Sequence, residues 1–311
     1  MSESPPTVPV CYRHPSRETY VRCVRCDRFI CPDCMREASV GHQCPECVAE
    51  GRRTQRPART AFGGGTAGRH GHVTKILVGI NLLVALLGLA VSGTGSLLGE
   101  GLFTAASRVQ AIGGVVGPSV TVLADDRVVL GAIPVLGQVY PGIDDGGFYR
   151  LITAMFIHYG LIHLLVNMWA LWVLGRNLEA ALGPLRFLAL YLLAGIGGNV
   201  TSYVISPNAL AAGASTAIFG LFAAIFVILR RLKRDTSAII GVLVVNLVLT
   251  FSISSISWQG HLGGLVTGAM VGTILAYAPR TNRNLVQFAG CGAVLAMLLL
   301  LTVARMAASA A

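Results

Sequence analysis

Seven apolar stretches, each near the length of a bilayer-crossing helix, govern what this 311-residue chain can become. They lie at 73–91, 162–178, 185–205, 213–229, 238–256, 261–278 and 285–304. About 20 residues of helix span roughly 30 Å of hydrocarbon. Lipid offers no partners to exposed backbone groups, so helix is the form such stretches take. Only 12% of the residues are charged, against about 25% in soluble domains. These features exclude a disordered chain and an ordinary soluble enzyme. The expected fold is an all-α membrane protein, a polytopic helical bundle over 73–304. A small Cys-rich head covers 1–50, a flexible basic linker 51–72 and a tail 305–311. The first 72 residues hold no apolar run, so they do not read as a secretory signal.

The loops between the stretches set an expected orientation. Arg230, Arg231, Lys233 and Arg234 follow the fourth stretch, Arg176 and Arg186 flank the turn after the second, and Arg280 and Arg283 follow the sixth. All three sites fall on the side of the head, whose first 75 residues carry 12 Lys+Arg against 7 Asp+Glu. Lys and Arg stay cytoplasmic. The expectation is a cell-membrane protein with its N-terminus cytosolic and its C-terminus outside. The net charge of +10 is explained by this topology, and no nucleic-acid partner is expected. The 92–150 loop is long for a connection and carries apolar stretches between Gly and Pro, which points to partly buried or interfacial structure.

Seven of the eight cysteines lie between Cys11 and Cys47. Their order is Cys11-x-x-His14, Cys23-x-x-Cys26, Cys31-x-x-Cys34 and Cys44-x-x-Cys47. Four close pairs supply eight ligands, enough for two tetrahedral structural zinc ions. Such spacing in a reducing cytosol argues for metal over disulfides. So small a segment, with few large apolar residues, needs metal to fold. His42 is a further imidazole, although the pairs are complete without it. The arrangement resembles a B-box-type or cross-braced zinc finger. That resemblance implies that the first and third pairs share one ion and the second and fourth the other. Closed zinc sites point to a binding surface for a cytosolic protein partner.

Polar residues are few in the apolar stretches, and ionisable groups there are costly enough to suggest function. His163 and Asn167, four apart, share a helical face. The fourth stretch opens Gly213-Ala-Ser215-Thr216, and the sixth opens with His261, followed by Gly264, Gly268 and Gly272. By the expected topology all three clusters begin at the outer leaflet. A hydroxyl, an imidazole and a pair of hydrogen-bond donors at one depth are the parts of acyl transfer: nucleophile, base and oxyanion stabilisers. The glycine ladder lets helices approach closely enough to bring His261 to Ser215.

These motifs resemble the rhomboid family of intramembrane serine proteases over roughly 73–304. H-x-x-x-x-H-x-x-x-N matches at His158, His163 and Asn167, and H-x-x-G matches at His261 and Gly264. Leu174-Gly175, Glu179, Gly183, Phe187 and Tyr191 follow the family spacing, and Tyr149-Arg150 stands where the family has Trp-Arg. The family's G-x-S-G appears with Thr216 as its last residue. The resemblance implies a bundle of six plus one spans. Ser215 would be the nucleophile and His261 the general base, in a dyad without an acid or catalytic cofactor. His163 and Asn167, with the Ser215 N–H, would bind the oxyanion, and Phe219 would pack on the His261 ring. Tyr149, Arg150 and Glu179 would be structural. The implied substrate is a transmembrane helix in the lipid bilayer, cut near its outer end, with the fifth span as lateral gate. Thr216 adds bulk beside the nucleophile where glycine permits close approach. It opens the alternative of a catalytically inactive rhomboid-like membrane adaptor. A transporter would need ionisable residues near mid-depth, and the sequence has almost none.

Overall fold

The computed structural model describes residues 8–55, 58–94 and 106–310. They divide into two compact units, Met1–Ala58 and Arg59–Ala311.

In the first unit nearly every buried side chain is a cysteine. Cys11, Cys23, Cys31, Cys34, Cys44 and Cys47 surround Ile30. Strands β1 (Arg36–Glu37) and β2 (His42–Gln43) pair antiparallel, with Glu37 opposite His42. Helix α1 (Pro45–Thr54) follows. Its N-cap is Cys44, whose sulfur accepts from the Cys47 N–H. Pro45 takes the first turn, where a missing N–H costs nothing. A core with one large aliphatic side chain offsets little of the chain entropy of ~50 residues, and its burial rests mostly on cysteines.

In the second unit every apolar stretch is helical. The helices are α2 (His72–Ser92), then, after short α3 (Arg108–Gly113) and α4 (Arg150–Thr153), α5 (Leu161–Leu182), α6 (Pro184–Ile205), α7 (Ser215–Arg231), α8 (Ser237–Ser252), α9 (Trp258–Tyr277) and α10 (Arg283–Ala310). Five of them, α2, α5, α6, α9 and α10, are long and apolar enough to cross a membrane. The fourth and fifth stretches give shorter helices, α7 of 17 residues and α8 of 16. α7 is short because the chain entering it is extended. Ala211 bridges to Val115, and the Gly213 N–H donates to Ala154 O at 2.8 Å. Non-helical backbone of this kind is tolerated where protein satisfies it.

α6, α7 and α9 pack at backbone distance. A Cβ on Gly264 would stand 2.0 Å from Thr216 O, and one on Gly268 would stand 2.2 Å from Gly220 Cα. One on Gly197 would meet Thr267 Oγ1 at 2.1 Å. Small residues permit this approach, and it holds the start of α9 beside the start of α7.

The long loop is folded. Strands β3 (Val120–Leu123), β4 (Val128–Leu130) and β5 (Gly137–Tyr140) form an antiparallel sheet in the order β4-β3-β5. Residues 95–105 lie outside the described residues, and with them the start of the apolar stretch expected at 101–116. Fully buried Arg150 donates to the carbonyls of Pro141, Gly114 and Ala111, each at 2.7 Å. Buried Glu179 accepts from the N–H groups of Val73 and Thr74 and from the Thr74 hydroxyl. It thereby satisfies the exposed donors at the start of α2.

Two expected boundaries move. The span 51–72, expected to be a flexible linker, is divided: 51–54 complete α1, and residues from 59 onward pack into the second unit. There Phe62 is buried, its carbonyl accepts from Gln287 Nε2 at 3.2 Å, and Thr66–His70 form a 3-10 turn. Residues 305–310, expected to be a tail, continue α10.

Candidate functional site

Ser215 is the first residue of α7, and His261 lies in the first turn of α9. His261 Nε2 is 2.8 Å from Ser215 Oγ. The ring stacks on Phe219, one turn after the serine, with centroids 4.1 Å apart and planes at 17°. Its other nitrogen, Nδ1, is 2.8 Å from Thr250 Oγ1. Thr250 in turn donates to Asn246 O at 2.7 Å.

Gly213 shapes the approach to the serine. Its φ of +144° is a conformation L side chains rarely adopt, and a Cβ there would stand 3.1 Å from His163 Nε2 and 3.2 Å from Ser215 Oγ. The position therefore needs glycine, and the notch it leaves is bordered by His163 and Ser215. His163 Nδ1 accepts from the Tyr159 N–H at 3.2 Å. That assigns the ring proton to Nε2, which faces the notch. The first intrahelical bond of α7 runs from the Ile218 N–H to Ala214 O. The Ser215, Thr216 and Ala217 N–H groups precede it, at the positive end of the helix dipole. His158 Nε2 lies 3.4 Å from the Ala214 nitrogen and supports the entry to α7.

The structure thus brings Ser215, His261 and His163 together. Asn167 lies a turn further along α5, buried, with its amide donating to His163 O at 2.8 Å. It shares the face of His163, and the hydrogen bond it makes among the described residues goes to that residue's carbonyl and not to Ser215. The side chain of Thr216 points away from the nucleophile. Its Cγ2 would be 3.0 Å from a Cβ on Gly260, and its Cβ would be 2.7 Å from one on Gly198. Glycines on α6 and α9 therefore vacate the space this β-branched side chain fills. Thr250 was not found by motif reading. Its signal was the pair Asn246 and Thr250, four apart on one face of an otherwise apolar helix.

The arrangement joins a hydroxyl to an imidazole whose ring is held from two sides, beside the first backbone N–H groups of α7. A model of the Rhomboid domain matches residues 145–278, which include all of these groups. The putative rhomboid protease YdcA of Bacillus subtilis is 37% identical over 136 residues, covering 42% of this chain and 68% of YdcA. The chain belongs to the rhomboid family. Rhomboid protease GluP of Bacillus subtilis is 42% identical over 131 residues, 40% of this chain but 26% of GluP. The mitochondrial RHOMBOID-like protein 6 of Arabidopsis thaliana is 34% identical over 141 residues, 43% of this chain and 46% of that protein. The chain thus spans less than half the length of these last two relatives. This rhomboid is a multi-pass membrane protein of a family in which many members are intramembrane serine proteases.

The cysteine clusters lie outside the rhomboid match. Cys11, His14, Cys31 and Cys34 form one group, and Cys23, Cys26, Cys44 and Cys47 the other, with ligand atoms within 4.8 Å of one another in each. His14 Nδ1 is 3.3 Å from Cys31 Sγ and 3.4 Å from Cys34 Sγ, and Cys26 Sγ is 3.8 Å from Cys44 Sγ. Zinc–sulfur bonds of ~2.3 Å at tetrahedral angles place sulfurs about 3.8 Å apart, so both groups could hold a metal ion. His42, in β2, belongs to neither group. Burial would raise the Cys11 and Cys23 thiols, but backbone N–H donors outweigh it and lower both to about 6. Burial and neighbouring thiols push Cys34 up to about 11 and Cys47 up to about 12. Crowded sulfurs ionise together only around a cation.

Proposed function

We propose that this rhomboid is an intramembrane serine endopeptidase that cuts transmembrane-helix substrates near the outer leaflet. The observation that carries the reading is the 2.8 Å approach of His261 Nε2 to Ser215 Oγ. Ser215 Oγ attacks the scissile carbonyl carbon while its proton passes to His261 Nε2. The carbonyl oxygen becomes an oxyanion, received by the Ser215 N–H and by His163 Nε2–H, with Asn167 offering its second amide hydrogen. Collapse of the tetrahedral intermediate breaks the C–N bond, and His261 gives its proton to the departing amine. Water, activated by the same imidazole, then hydrolyses the acyl ester and restores the serine. No catalytic cofactor enters the scheme. Phe219 restricts the ring's tilt throughout.

The Arg and Lys clusters support a cytosolic N-terminus and an external C-terminus in the cell membrane. The two Cys/His groups hold one structural zinc ion each, in the cross-braced pairing, and the folded head recruits a cytosolic protein. The inactive-adaptor reading rests on Thr216 alone. The space vacated by Gly198 and Gly260 favours activity, because the threonine fills that space and not the nucleophile's. Cleavage of a model transmembrane substrate in proteoliposomes tests the choice. Wild type should cut, and Ser215→Ala and His261→Ala should each lose about ten-thousand-fold or more. Binding of substrate without cleavage, restored to cleavage by Thr216→Gly, would establish the adaptor instead.

A further inference from the structure

We propose that Thr250 is the positioning residue of the base, selecting the His261 tautomer from a helix that carries none of the other reacting groups. The proposal rests on the serine-protease reading above.

A threonine hydroxyl has one hydrogen to give. Thr250 spends it on Asn246 O at 2.7 Å, a back-bond to the carbonyl four residues earlier that is common for Ser and Thr in helices. Toward His261 Nδ1, 2.8 Å away, the oxygen can then only accept. The Nδ1 atom must carry the ring proton, and Nε2 is left with the lone pair facing Ser215 Oγ. That is the tautomer a general base requires. In triads a carboxylate makes this selection, and changing it to an amide leaves the wrong tautomer. Here a neutral oxygen makes it, with no acidic side chain among the described residues hydrogen-bonded to the ring. Phe219 cannot substitute, because a stacked ring restrains tilt but does not select which ring nitrogen carries the proton.

The burial of α8 singles out the same residue. Of its sixteen residues only Thr250 is buried. Ile240, Val242, Val244, Val245, Val248 and Leu249 are exposed on the apolar outer surface. Ile239 and Leu243 pack partly against the core, but the one fully buried side chain of this helix is the one that meets the imidazole.

The test uses the full chain in detergent, with His ring nitrogens labelled with 15N. Wild type should show His261 protonated at Nδ1, and Thr250→Val should show a mixture of tautomers. Cleavage by Thr250→Val should lose kcat by about 10- to 100-fold with KM little changed, and Thr250→Ser should restore it. An Nε2-protonated His261 in wild type overturns the proposal whatever the variants do. So does a Thr250→Val enzyme with wild-type kcat, or one that Thr250→Ser fails to rescue. Labelling of Ser215 by a fluorophosphonate probe separates the two readings. If wild type neither labels nor cleaves, the protease reading fails. If it does both while Thr250→Val matches it, only the tautomer proposal fails.

Discussion

The Thr216 Cγ2 methyl fills the notch left by Gly260, 3.0 Å from where a Cβ on that glycine would stand. Filling that notch is a packing role. Thr216→Gly should therefore destabilise the protein by about 1–3 kcal/mol, through a cavity and a helical glycine, and should not raise kcat. Thermal unfolding in detergent, paired with cleavage rates, checks both halves.

The Thr216 hydroxyl is buried without a hydrogen-bond partner among the described residues. Thr216→Val keeps the shape and removes that orphan. Stability should stay level or rise by about 1 kcal/mol, with cleavage unchanged. A clear loss of stability would mean that the hydroxyl has a partner in the membrane.

His163 faces the Gly213 notch beside Ser215. His163→Ala should lower kcat by about 10²- to 10³-fold, the usual cost of one oxyanion donor, with KM moving far less. Steady-state cleavage in proteoliposomes gives the split. An effect confined to KM would place His163 in substrate binding.

Metal removal should act on the first unit alone. A strong chelator should strip two ions per chain and open residues 8–55 to protease while the second unit keeps its helicity. Affinity should fall as pH drops and fall more steeply below about 6, where Cys11 and Cys23, held low by backbone donors, also take up protons. Loading near pH 7 should release protons, with Cys34 and Cys47 among their sources because their thiols stand well above that pH. Metal analysis and a pH indicator measure both.

Much of this was legible in the residues. Apolar length located every long helix, and polar clusters at one depth named Ser215, His261 and His163, which the structure places near one another. What escaped reading has physical causes. Residues 59–70 look flexible by composition, yet a Cβ on Gly64 would stand 1.9 Å from Leu182 O. Glycine there serves close packing, which composition cannot distinguish from flexibility. The sheet at 120–140 consists of strands of three or four residues, too short for alternation to register. Thr250 was visible only as half of a polar pair, because a hydroxyl orienting an imidazole has no fixed spacing from it.

The Glu179 cap has a consequence for synthesis. Its carboxylate is made 105 residues after the Thr74 N–H that it receives. At ~5–20 residues per second, the start of the first span waits roughly 5 to 20 s for its acceptor. During that interval water or lipid headgroups must satisfy those donors, so the nascent span has to lodge with its first turn at the bilayer surface. It can be drawn into its final seat only after α5 has emerged. The order of translation thus sets when the first helix gains its cap.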